Sequence, residues 1–179
     1  MQMSVKGRRS FSKKTVDGQR NEDLIRMMLV MGVGNRLMMD DGIGIYIVEE
    51  LIRRNHIHNV RYVVGETDVD FCMVQLMDAD YVIILDAGYS EAFPCTVFSA
   101  SLETIWNDLL PAGLGHDFDL LQAMKRNGMK KKGLLITVEI SQLGFWPELS
   151  DQMKAEFDRI CNEIEHVIET FASEESGLQ

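Results

Sequence analysis

The sequence predicts an α/β fold, a three-layer sandwich with a mostly parallel, twisted central sheet flanked by helices. Two patterns predict it. Apolar runs of strand length alternate with segments whose apolar residues recur at three and four, so strands and helices follow one another along the chain. The first run, residues 27–33, is apolar throughout, as a parallel strand must be when both its faces are covered. The 179 residues, 46% hydrophobic with three prolines, supply one sizeable core. The expected organisation is a basic, disordered extension over residues 1–26, a single domain over 27–172 and a frayed tail over 173–179.

The first strand runs through Gly32, Gly34 and Asn35 to Asp40, Asp41, Gly42 and Gly44, and so into a helix over residues 43–55. Ile47, Val48, Leu51 and Ile52 fall on one face of that helix, with Glu49/Arg53 and Glu50/Arg54 spaced as exposed ion pairs on the other. The glycines do not make a dinucleotide fingerprint, because Leu37 stands where the third glycine belongs. Two carboxylates at a helix start would also repel phosphate. Asp40 and Asp41 therefore either cap the helix or hold a cation.

A second strand follows over residues 59–64, then a helix over 71–77, then a third strand over 81–85 that ends at Asp86. Right-handed crossovers make these strands parallel and bring their C-terminal ends to one edge of the sheet. Asp40, Asp41 and Asp86 share that edge, where open α/β sheets bind their ligands. Asp68 and Asp70 precede a helix and read as caps. His56 and His58 lie towards the opposite end of the second strand.

Further along come a strand over residues 95–99 and a Gly/Pro loop over 111–115 that delivers His116. A helix from Asp117 to Met124 stops at Asn127-Gly128. Another strand spans 133–140, and an irregular segment leads to Ser150, a candidate N-cap for a last helix. Its Met153, Phe157, Ile160, Cys161, Ile164, Val167, Ile168 and Phe171 form one apolar face. Lys125, Arg126, Lys130, Lys131 and Lys132 bracket the Asn-Gly turn as a solvated loop or a docking patch for an acidic partner.

The formal charge of −10 argues against nucleic acid as a partner, although residues 1–20 carry six basic side chains and one acid. That start lacks the apolar core of a secretory signal, and no stretch is long and apolar enough for membrane insertion. Cys72, Cys95 and Cys161 are odd in number and widely spaced, so they read as buried thiols of a reducing cytoplasm. No serine sits in a nucleophile elbow.

The run Gly34-Asn35-x-Leu37-x-x-Asp40-Asp41-Gly42-x-Gly44, directly after an apolar strand, resembles the hydrogenase maturation endopeptidases. The resemblance extends from about Met27 to Phe171. It implies an endopeptidase that removes a short C-terminal extension from the precursor of a nickel–iron hydrogenase large subunit after nickel insertion. Ile84-Leu-Asp86-Ala87 looks like the family's second functional aspartate, and His116 stands where the family has its histidine. The resemblance thus implies that Asp41, Asp86 and His116 read nickel already bound in the precursor, and that zinc or cadmium could replace it in a crystal. Asp41 and Asp86 are the candidate catalytic pair. Asp40, or another carboxylate, would be base towards a metal-polarised water. A cytoplasmic monomer is expected.

One position departs from the family: Glu66 replaces a glycine in the turn after the second strand. If that glycine serves a positive φ or a close approach of substrate, docking is affected; otherwise Glu66 adds a carboxylate to the site. The alternative function is accordingly a metal-reading escort of the same fold that has lost peptidase activity. A flavodoxin-like module binding an anion at the same edge is disfavoured by the paired aspartates.

Overall fold

The computed structural model describes residues 27–54, 57, 59–89, 92–107 and 119–176. The expectations for the extension 1–26, for His56 and His58, and for the loop bearing His116 lie outside them, as do residues 177–179.

Five strands form one sheet in the order β2-β1-β3-β5-β4. They are β1 (Met28–Val33), β2 (Val60–Glu66), β3 (Tyr81–Tyr89), β4 (Val97–Ser101) and β5 (Lys132–Ile140). All pairs are parallel except β4–β5, which is antiparallel and puts β4 on an edge. The fold class read from the sequence is the observed one. The helices are α1 (Ile43–Arg54), α2 (Val69–Met77), α3 (Leu102–Asn107), α4 (Asp119–Arg126) and α5 (Asp151–Ser176).

Side-chain alternation along the strands feeds two cores. Val30, Ile83, Leu85, Ile136 and Val138 point to one face, where α1 and α5 cover them. Leu29, Met31, Val82, Ile84 and Leu135 point to the other, beneath α2, α3 and α4. The crossover β1-α1-β2 lies on one face and β2-α2-β3 on the other, so the winding direction changes between β1 and β3.

Helix α1 lies so close to the sheet at Gly44 that a Cβ there would collide with the carbonyl oxygen of Leu85 and stand 2.7 Å from that of Val33. The close approach that a dinucleotide fold secures with its third glycine is secured here by Gly44.

Several details differ from the sequence reading. Ile52 is 49% exposed rather than part of the buried face, since the apolar stripe of α1 is narrower than its spacing suggests. Glu49 pairs with Arg36, and Arg53 turns to Glu50, so the expected Glu49/Arg53 pair does not form. Helix α5 runs on through Ser173 to Ser176, within the stretch expected as a tail, and Glu175 pairs with Lys132 at 2.7 Å. Helix α3 was not anticipated; the Ser101 hydroxyl accepts the Glu103 N–H at its start, at 3.1 Å.

Other local expectations hold. Asp68 caps α2 by accepting the Phe71 N–H at 2.9 Å. Helix α4 ends in a Schellman turn at Gly128, φ +64°, with Met129 N–H donating to the Met124 carbonyl at 2.9 Å. Lys131 of the basic cluster is committed to the fold, donating to the carbonyls of Met77 and Ala79 at 3.0 and 2.7 Å.

Candidate active site

Strand β1 ends its pairing with β3 at Gly32↔Leu85, whereas β3 continues beside β5 to Tyr89↔Ile140. Asp86 is therefore the first residue of β3 that has outrun β1, and a cavity of about 360 Å³ opens beside it. The loop after β1 contributes Asn35 and Asp41, the end of β2 contributes Glu66, and β3 contributes Asp86. Cys72 of α2 and Leu120 and Leu121 of α4 close the apolar side. The cavity lies where the winding changes direction, as for ligand sites of open α/β sheets generally.

Two of the aspartates expected at this edge meet there. Asp41 Oδ2 accepts the backbone N–H of Asn35 at 2.9 Å. Asp86 is 8% exposed, and its Oδ1 accepts the N–H of Ala87 at 2.8 Å. Both carboxylates line the one cavity, and carboxylate oxygens are a donor type that divalent cations accept. Among the described residues no three His, Cys, Asp or Glu side chains are grouped to hold a metal ion by themselves. His116 lies outside those residues.

Asp40 is placed differently from the expectation. It is 1% exposed and does not line the cavity; its Oδ1 accepts the Ser150 N–H at 2.7 Å and its Oδ2 the Ser150 hydroxyl at 2.8 Å. Ser150 in turn caps α5 by accepting the Met153 N–H at 3.2 Å. The carboxylate expected as a base is committed to joining the site loop to the last helix.

Glu66 has the positive φ that a glycine would take without strain, +50°. A non-glycine residue held there costs about 1 kcal/mol. Its side chain accepts Arg36 Nε at 3.0 Å, and Arg36 Nη2 donates to Glu49 of α1 at 2.7 Å. The Glu49 bond, followed by Glu66, holds the guanidinium firmly in its charged form, against the opposing effect of burial.

The sequence reading missed two features of this edge. Glu139 lies on the same face of β5 as Thr137, the partner of Asp86, and its carboxylate occupies space that a side chain on Gly88 would take. Its only sequence signal is an acid in an apolar strand near the C-terminal edge. The segment before α5 forms an apolar rim, since Trp146 bridges to Met38 and its carbonyl accepts the Met39 N–H at 2.9 Å. Leu37, Leu143, Phe145 and Trp146 are exposed along it, Phe145 by 81%.

The thiols are placed as expected. All three are buried and unbridged. Burial pushes Cys72 up to about 11 and Cys161 up to about 12, so neither is a ready nucleophile.

No protein-family model and no curated protein sequence matches the chain. Solved structures do. The hydrogenase maturating endopeptidase HybD from Escherichia coli superposes with a TM-score of 0.62 and 24% identity, over 84% of this chain and 94% of that one. A hydrogenase 2 maturation peptidase from the Thaumarchaeota archaeon SCGC_AB-539-E09 gives a TM-score of 0.58 and 25% identity, over 80% and 98%. The maturation protease HybD from Thermococcus kodakarensis gives 0.61 and 24%, over 79% and 98%. The chain has the fold of the hydrogenase maturation endopeptidases.

Proposed function

We propose that this protein is a hydrogenase maturation endopeptidase acting on the precursor of a nickel–iron hydrogenase large subunit. The observation that carries the reading is that Asp41, from the turn after β1, and Asp86, from β3 where it outruns β1, line one cavity at the edge where the winding reverses. Nickel belongs to the substrate in this reading. The two carboxylates, joined by His116, complete the coordination of a nickel ion carried by the precursor and so place its C-terminal extension across the cavity. The precursor's nickel, held by these residues, would supply Lewis-acid polarisation of a water or of the scissile carbonyl. With Asp40 committed to Ser150, the proton passes to another carboxylate of the edge.

The exposed Leu37, Phe145 and Trp146 offer the precursor an apolar surface next to the cavity. No helix among the described residues is long and apolar enough to cross a membrane. We place the reaction in the cytoplasm, with the protein acting as a monomer and with no nucleic acid involved.

The test is to incubate the purified protein, and Asp41→Ala, with nickel-loaded precursor and to read the precursor's mass. Loss of a C-terminal peptide only with the unmodified protein and nickel supports the reading. An intact precursor held in a nickel-dependent complex identifies an escort instead.

A further inference from the structure

Glu66 touches the loop after β1 twice. Its carbonyl oxygen accepts the Gly34 N–H at 3.2 Å, and its side chain accepts Arg36 Nε at 3.0 Å. Arg36 is held from the other side by Glu49, to which Nη1 and Nη2 donate at 3.1 and 2.7 Å. Its guanidinium also stands 5.7 Å from the centre of the Tyr46 ring. Between the two anchored residues lies Asn35, whose N–H donates to Asp41 Oδ2 at 2.9 Å. Asn35 further folds the loop on itself, its side-chain oxygen accepting the Leu37 N–H at 3.0 Å and its carbonyl the Met38 N–H at 3.0 Å.

We infer that the Glu66–Arg36 pair is a clamp that positions Asp41: by holding residues 34 and 36 it aims the Asn35 N–H, and that N–H orients the carboxylate in the cavity. Glu66 stays in a left-handed conformation because side-chain and backbone contacts together hold it there. The pair is partly exposed, with 31% and 56% of the two side chains accessible, and such pairs add little to global stability. Outer contacts that orient a metal-binding carboxylate matter far more for binding and turnover. The effect of Glu66 on the site is thereby separable from any effect on folding.

Glu66→Gly and Arg36→Leu remove the side-chain arm of the clamp while the backbone carbonyl at position 66 still accepts the Gly34 N–H, and Glu66→Gln keeps an acceptor for Arg36. The first measurement is amide hydrogen exchange by ¹H–¹⁵N spectra of the full chain. Exchange at Asn35 is expected to speed up about tenfold in Glu66→Gly and Arg36→Leu, with Val30 and Leu51 unchanged, and to return to within about twofold in Glu66→Gln. The thermal midpoint of Glu66→Gly stays level or rises, because glycine relieves the strain. Unchanged exchange at Asn35, or faster exchange across the whole domain, overturns the clamp.

The second measurement rests on the proposed function: kcat/KM for precursor cleavage falls about tenfold in the two clamp variants and recovers in Glu66→Gln. The two readings fail separately. If the unmodified protein does not cleave but Asn35 responds, only the endopeptidase reading falls; if it cleaves and Asn35 does not respond, only the clamp falls.

Discussion

Asp40 and Ser150 are joined by two hydrogen bonds across 110 residues of chain, from the Ser150 N–H at 2.7 Å and the Ser150 hydroxyl at 2.8 Å. The neighbouring carboxylate, Asp41, faces the cavity. One short turn thus sends adjacent acids to opposite tasks, one to fasten α5 and one to the candidate site.

Substituting Asp40 is expected to unfold the protein more easily rather than to change its chemistry first. Asp40→Ala leaves buried donors on Ser150 without partners and should cost about 3 kcal/mol in urea denaturation. Ser150→Ala, which loses the cap and one Asp40 bond, should cost about 1–2 kcal/mol. A stable Asp40→Ala protein lacking activity would instead return Asp40 to the chemistry.

Asp41→Ala should reduce precursor processing by about 10²-fold or more, with the thermal midpoint close to that of the unmodified protein. Asp86→Ala should share that loss of processing. Full activity in either variant would remove the carboxylate pair from the proposed role.

Gly44→Ala tests the close approach of α1. The added methyl meets the carbonyl oxygens of Leu85 and Val33 in a tightly packed region, and the expected loss is about 3 kcal/mol by denaturant titration. A change below about 0.5 kcal/mol would mean that the helix can move off the sheet freely.

Acid should weaken the Glu50 ion pairs along α1. Arg53 foremost, then Arg54, lowers Glu50 from the ordinary 4.5 to about 2, and Arg54 also reaches Glu165 of α5 at 2.9 Å. A carboxylate lowered on folding contributes stability that is complete above its unfolded value and is lost as pH falls from 4.5 towards 2. Urea midpoints measured through that window should fall, and Glu50→Gln should flatten part of the slope.

Iodoacetamide at neutral pH should leave the native protein unmodified and active, with all three thiols reacting after denaturation. Burial holds Cys72, Cys95 and Cys161 above their usual range. Rapid alkylation of Cys72 coupled to inactivation would reopen a thiol mechanism, because that residue lines the cavity.

The α/β class, the parallel order of the first three strands and the placing of Asp41 and Asp86 at one edge were legible in the sequence. Each follows from local periodicity and the handedness of crossovers, which a single chain displays directly. Ser150 and Asp68 were likewise legible as caps, because a cap bonds to amides two or three residues away.

What only the tertiary structure decided is how neighbouring residues divide between roles. Asp40 and Asp41 are the same residue type in adjacent positions, and nothing local says that one meets Ser150 and the other Asn35. Glu66 was visible as a departure, but its φ of +50° and its hold on Arg36 depend on where β2 ends against β1. Glu139 and the Trp146 rim join the site edge through strand register and a long-range bridge. Periodicity specifies which face a residue takes; which distant group it meets there depends on the packing of elements far apart in the chain, a quantity that no local pattern encodes.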